Sequence, residues 1–287
     1  MSSRGEKGED TMNMKTTYKP VPFFVITFLI SWIPWFIAAY FSYQEGMERT
    51  QALFLIPGMF GPFIAALIMI YRTKSPELWR DYRDRLLNFK RIKLTTVPIM
   101  LLLMPAVILA SILLSLLFGK SADQFAIVQQ FGFSAGPVPV LLILIFVPAL
   151  EEMGWRGYGV DSLRSRFNLF TTSLWFGLLW ALWHLPMFFI RHYYQNELLS
   201  NWVYTANFWV SIFPMAIIIN WLYYKNKRSI IACFLFHFSV DIASEMFQVE
   251  QFTKCIGTGL LILIAVWIVI ADRKLFFEEK KGEAWLM

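Results

Sequence analysis

The stretch VPVLLILIFVPALEEMGWRGYG, residues 138–159, runs an unbroken apolar segment straight into Glu151 and Glu152, with Arg156 four residues on. The apolar part predicts a helix in hydrocarbon, where only internally hydrogen-bonded backbone is stable. A charged side chain at that depth costs at least a few kcal/mol and faces a polar interior rather than lipid. One segment therefore implies both a membrane bundle and a polar place inside it.

The rest of the chain extends this reading. Of its 287 residues 57% are hydrophobic and 16% charged, with a mean hydropathy of +0.52, a composition that marks a membrane protein. Apolar runs near the length of about 20 residues that one crossing needs recur along the sequence. They predict an all-α, polytopic fold with about eight transmembrane helices in one bundle, at about 21–41, 52–71, 96–119, 137–158, 170–190, 203–224, 229–247 and 255–272. The alternating ten-residue pattern of a membrane β-barrel is missing. The expected organisation is a cytoplasmic polar tail at 1–20, a transmembrane domain at 21–272 and a charged cytoplasmic tail at 273–287. The 1–20 tail is longer than a signal-peptide n-region and no cleavage site follows it, so the first helix is expected to stay as an anchor.

Of the 26 Lys and Arg residues all but Arg49, Lys120, Arg191 and Lys254 fall on the side that holds the termini. The positive-inside rule then makes both termini cytoplasmic, in a multi-pass protein of the cell membrane. Topology and anionic lipid account for the net charge of +6, and no nucleic-acid motif accompanies it. Cys233 and Cys255 lack a CxxC spacing and are expected to pack. In the loop 72–94, Leu78, Tyr82, Leu86 and Phe89 share one helical face with arginines around the rest. This predicts an interfacial helix, or equally a topogenic basic loop that happens to be helical.

Few ionisable residues fall inside the spans: Glu151, Glu152 and Arg156 in the fourth, His184 in the fifth, and His237, Asp241 and Glu245 in the seventh. Glu152 and Arg156, four apart, lie on one helical face, where an ion pair eases their burial. Glu151 points about 100° away and stays free for another partner. His237, Asp241 and Glu245 form one polar stripe. Each group has a structural alternative: a solvated helix end, a hydrogen-bonded packing histidine, a clasp between helices. Together they offer complementary parts of one acid–base site from three spans. Pro148 and Pro186 lie beside the acids and His184, where each can bend its helix and free a carbonyl.

These residues also resemble a known family. EEMGWRGYGVDSLRSRFN (151–168) is similar to the EExxxR signature of the CAAX protease and bacteriocin-processing family, also called Abi. WALWHLP (180–186) resembles its second motif and HFSVD (237–241) its last, in matching order from 137 to 247. The resemblance implies an intramembrane endopeptidase acting on a peptide or protein substrate, membrane-anchored or lipidated, with its cavity reached from the cytoplasmic side. It implies that Glu151 with His184 activates water, that Glu152 and Arg156 brace the site, and that His237 and Asp241 stabilise the oxyanion. Trp180 replaces the family's commoner Phe, a change expected to matter little. Asp241 stands where Asn is more frequent, and an ionised carboxylate cannot donate to an oxyanion. A metal-free site with no cofactor is favoured because no HExxH is present. The alternative is zinc held by Glu151, His184, His237 and Asp241.

Serine and aspartyl intramembrane proteases fit less well: no Gly-flanked serine is paired with a histidine, and Asp241 is the one well-placed aspartate. Two other classes compete. A proton-coupled transporter uses buried Glu, His and Asp as a relay, but its polar residues occur in two related halves, whereas here they concentrate in the second half. A non-catalytic, bacteriocin-immunity-type membrane partner would survive loss of the Glu151 carboxylate.

Overall fold

A computed structural model of the chain describes residues 18–128 and 140–278. Residues 1–17 of the expected tail, the start of the fourth crossing before 140 and the chain beyond 278 lie outside the described residues. Among the described residues the fold is helical, with no strand and a single isolated bridge between Ile127 and Phe247. The helices are α1 (Pro20–Phe41), α2 (Glu48–Met59), α3 (Gly61–Thr73), α4 (Pro76–Leu87), α5 (Val97–Leu116) and α6 (Val140–Gly154). They continue with α7 (Val160–Arg164), α8 (Leu169–Trp183), α9 (Tyr194–Leu198), α10 (Trp202–Lys225), α11 (Ile230–Met246), α12 (Gln251–Ala271) and α13 (Arg273–Phe277).

Six helical segments, 20–41, 48–73, 94–116, 169–189, 202–225 and 251–271, are long and apolar enough to cross a membrane. The other two expected crossings correspond to α6 with its continuation, and to α11. They hold Glu151, Glu152 and Arg156, and His237, Asp241 and Glu245, and α11 is only 17 residues long. The groups that make a site are thus the same ones that lower the apolar character of its helices.

Three boundaries differ from expectation, each for a local reason. The second crossing breaks at Phe60 between Pro57-Gly58 and Gly61-Pro62, since proline cannot continue the hydrogen-bond ladder behind it. At Gly61 a Cβ would lie 2.0 Å from Ser31 Oγ, so only glycine lets α1 and α3 approach this closely. The fourth crossing does not end at 158: a π-turn, Trp155–Gly159, joins α6 to α7 and prolongs it to Arg164. The fifth ends as an α-helix at Trp183 and continues as a 3₁₀ turn, Leu185–Phe189, because Pro186 lacks the N–H an α-turn would need.

α4 docks on the bundle by its Leu78 and Tyr82 face, which the expected interfacial helix would have turned toward lipid, while Phe89 is exposed. The expectation that the arginines surround that face fails at Arg85, which is fully buried. Residue 85 is two helical turns from 78 and so shares its face. Its guanidinium meets Asp81 (2.8 Å), Asp161 (3.2 Å), Tyr223 Oη (2.6 Å) and the carbonyls of Arg156 (2.7 Å) and Gly157 (3.1 Å). Arg228 closes the network on Asp161 (2.6 Å) and Asp81 (3.1 Å). A π-turn lengthens the usual i to i+4 bonds and leaves carbonyls seeking other donors; here one guanidinium caps two of them in succession.

Candidate active site

The fourth crossing brings its two acids to opposite tasks. Glu152 is fully buried, and its Oε1 accepts from Arg156 Nη1 (2.8 Å) and from His237 Nδ1 (2.9 Å) of α11. Arg156 also donates to Asn220 Oδ1 of α10 (3.1 Å), whose amide donates to Ser173 Oγ of α8 (3.1 Å). The guanidinium carbon lies 4.6 Å from the centre of the Phe176 ring, an attractive placement over a π face. One charge cluster thereby ties four crossings together, with the expected i, i+4 pair at its heart. Gly154, between Glu152 and Arg156, lets α3 pack closely against this segment: a Cβ there would lie 2.2 Å from the Pro62 backbone.

Glu151 turns away, as the helical angle requires. Its Oε2 accepts from the indole N–H groups of Trp155 (3.2 Å) and Trp180 (3.1 Å). This corrects the view that Trp and Phe are equivalent at 180, because a phenyl ring has no N–H to give the carboxylate. Trp155 and Asn220 are the site residues the sequence reading missed, whereas Trp180 was marked by its motif but read as a ring that merely fills space. Trp155 is four residues after Glu151 and so was legible on the same face; Asn220 comes from another helix and had no signal.

His184 caps the C-terminus of α8. Its Nδ1 lies 2.8 Å from the Trp180 carbonyl, which can only accept, so Nδ1 holds the proton and Nε2 is left as the ring's acceptor. For His237 the same logic puts a proton on Nδ1, facing the Glu152 carboxylate, while Nε2 lies 3.9 Å from Asp241 Oδ1. That separation is too long for a hydrogen bond and leaves Nε2 available.

Glu151, His184, His237, Asp241 and Glu245 line one cavity of about 380 Å³. Most of the remaining wall is apolar, including Met104, Val107, Leu144, Val147, Met215 and Leu261. Glu152 and Arg156 stay behind it. The structure thus brings all six expected site residues together, four at the cavity wall and two bracing from the rear. Among the described residues no three His, Cys, Asp or Glu side chains are grouped so as to hold a metal ion, so the set Glu151, His184, His237 and Asp241 does not fit zinc as it stands.

The cavity occupies the half of the bundle away from the basic loops. Its wall takes Ile143 and Leu144 near the start of α6, Tyr194 and Gln195 of α9, Tyr204 near the start of α10, and Thr253 and Lys254 near the start of α12. The basic KNKR segment (225–228) instead precedes the opposite end of α11. Cytoplasmic termini and a cavity in the cytoplasmic half therefore exclude each other in this fold.

Comparison with known proteins agrees with the geometry. Residues 133–243 match the family described as Rce1-like, type II CAAX prenyl endopeptidase. The chain is 45% identical over 263 residues to CAAX prenyl protease 2 of Methanococcus maripaludis, covering 91% of this chain and 97% of that protein. It is 27% identical over 233 residues to lysostaphin resistance protein A of Staphylococcus haemolyticus, covering 80% of this chain and 57% of that protein. Full-length similarity to a peptidase does not favour the transporter or the non-catalytic partner. The chain is a multi-pass membrane peptidase of the CAAX protease and bacteriocin-processing family, in its Rce1-like, CAAX prenyl protease branch.

Proposed function

We propose that the chain hydrolyses a peptide bond within the C-terminal CAAX tail of a prenylated polypeptide, by metal-free activation of water. The observation that carries the reading is the convergence of Glu151, His184, His237 and Asp241 on one largely apolar cavity. A volume of about 380 Å³ is within the range of small-ligand pockets, and its apolar wall suits a prenyl chain beside a short peptide.

In this mechanism a water placed between the Glu151 carboxylate and His184 Nε2 attacks the scissile carbonyl carbon and gives its proton to Glu151. The two indoles leave Oε1 of Glu151 as the oxygen for that proton, since both bind Oε2. The oxyanion forms beside His237 Nε2. To donate there while Nδ1 keeps its bond to Glu152, the ring acts as an imidazolium, its charge countered by Glu152 and Asp241. Asp241 in the ionised state thus supports the donor rather than serving as one. The intermediate collapses as the proton moves from Glu151 to the leaving nitrogen, and the C–N bond breaks to give a new carboxylate and a free amine.

The test is purified protein in liposomes with a farnesylated CAAX peptide, followed by mass spectrometry. The expected result is release of the C-terminal fragment, at least about tenfold slower without the farnesyl group, since burying even a few CH₂ groups at about 0.8 kcal/mol each reaches that factor. Activity should survive prolonged dialysis against a chelator. A folded preparation that cuts neither peptide would refute the peptidase chemistry, and activity lost to chelation and restored by zinc would refute the metal-free form.

We further propose that the basic face is cytoplasmic, in the cell membrane. Cysteines placed at Phe89, exposed on the basic side, and at Ser200, exposed on the other, report on this once Cys233 and Cys255 are replaced. A membrane-impermeant thiol reagent applied to intact cells should label position 200 and spare position 89. The reverse pattern would invert the topology and place the cavity in the cytoplasmic half.

A further inference from the structure

The cavity wall is electrically lopsided. Glu151, Asp241 and Glu245 supply its carboxylates, whereas Lys254 is the only lysine or arginine among the described residues that line it. The Lys254 ammonium is held 4.5 Å from the centre of the Tyr194 ring and donates to Tyr194 Oη (3.3 Å), a residue that also lines the cavity. Two further lining residues have polar atoms without partners. Thr253 is fully buried and its Oγ1 bonds to nothing; Gln195 is 8% exposed and its Oε1 bonds to nothing. Rotation of the Gln195 amide by 180° would present its NH₂ at the same place. Thr253 and Lys254 also belong to the first turn of α12. That turn has N–H groups with no intrahelical acceptor, and Glu250 at its N-cap supplies no side-chain bond. The first turn of a helix favours an anion.

We propose that Lys254, with Thr253, Gln195 and the first turn of α12, forms a carboxylate-binding subsite that seats the free C-terminus of the substrate and sets how far from that terminus the chain is cut. The inference rests on the peptidase reading above. A CAAX tail has three residues after its cysteine, which span about 10 Å when extended. Along α11, His237 and Glu245 are two turns apart, roughly 12 Å, and α12 begins five residues after α11 ends. Lys254 therefore belongs to the segment that follows the Glu245 end of α11, away from His237, and the extended tripeptide is what would bridge the two. Glu151 and Asp241, at the reactive end, repel the terminus from that end of the cavity.

The experiment compares two farnesylated peptides of one sequence, one ending in a free carboxylate and the other in an amide. Wild-type protein is expected to cleave the acid with a kcat/KM roughly 10- to 100-fold above the amide, the scale of a hydrogen bond to a charged group. In Lys254→Met and Lys254→Gln the ratio should fall to about 3 or less, mainly through KM, and Lys254→Arg should restore much of it. A loss of folded protein lowers both rates alike and leaves the ratio intact, so the ratio separates recognition from stability. Equal cleavage of both peptides by the wild type, or a ratio that survives in both neutral variants, would overturn the subsite alone. Failure of the wild type to cut either peptide would overturn the peptidase reading, and the subsite with it.

Discussion

Glu151→Gln is expected to lower kcat/KM on a farnesylated CAAX peptide by about 10³-fold or more, within the range lost when a general base is removed, with little change in thermal stability. The structure explains why the two readouts part. A glutamine amide keeps an oxygen that can accept from Trp155 and Trp180, so the packing around residue 151 survives the exchange. What it loses is the ability to take a proton from water. Glu152→Gln should behave differently. Glu152 Oε1 holds both Arg156 and His237, so a neutral amide there leaves a buried guanidinium short of its counter-charge and costs stability as well as rate. The assay pairs single-turnover cleavage with melting in detergent. Activity of Glu151→Gln within threefold of wild type would remove Glu151 from the chemistry and leave it a structural acceptor for two indoles.

How much of this was readable without coordinates follows from the range of each signal. Glu152–Arg156 was legible because an i, i+4 pair is fixed by helical geometry alone, and the structure shows it at 2.8 Å. The convergence of Glu151, His184 and His237 was suggested by the cost of placing charge in lipid, since groups that cannot face hydrocarbon must face one another. The π-turn at 155–159 was not legible: its stability comes from Arg85 and Tyr223, 71 and 67 residues from the carbonyl of Arg156 that they bind. The carboxylate donors were missed for a different reason. Trp155 and Trp180 read as apolar bulk in an apolar chain, and only the placement of their N–H groups shows them to be polar ligands. Arg85 was misread because the arginines of the 72–94 loop were placed around the apolar face, although residue 85 shares the face of Leu78 and Tyr82.

Arg85→Met is expected to destabilise the protein by about 3–5 kcal/mol, the cost of removing one partner from a buried ion-pair network, seen as a melting temperature lower by roughly 10 °C. The variant strips Gly157 O of its guanidinium partner and leaves Asp161 to Arg228, Tyr223 and Tyr224. Arg83→Ala, at an exposed position of the same helix, should move stability by no more than about 0.5 kcal/mol, so the contrast isolates burial from charge. The same network sets an acid limit. Burial tends to raise the Asp81 carboxyl, but Arg85 and Arg228 outweigh it and hold the group below the usual carboxylate range. A depressed folded value means that this contribution is fully present above about pH 4, the ordinary unfolded value. It is then lost as pH falls through the lower folded value. Replacing Arg85 removes one of those two cations, so the variant should reach its acid-induced loss of stability at a higher pH than wild type. Because the π-turn that Arg85 caps also bears Arg156, the loss should extend to the site: as the turn loosens, Arg156 loses its hold on Glu152, and through Glu152 the imidazole of His237 loses its alignment. A melting temperature within about 2 °C of wild type, at equal expression, would show that the π-turn stands without its guanidinium cap.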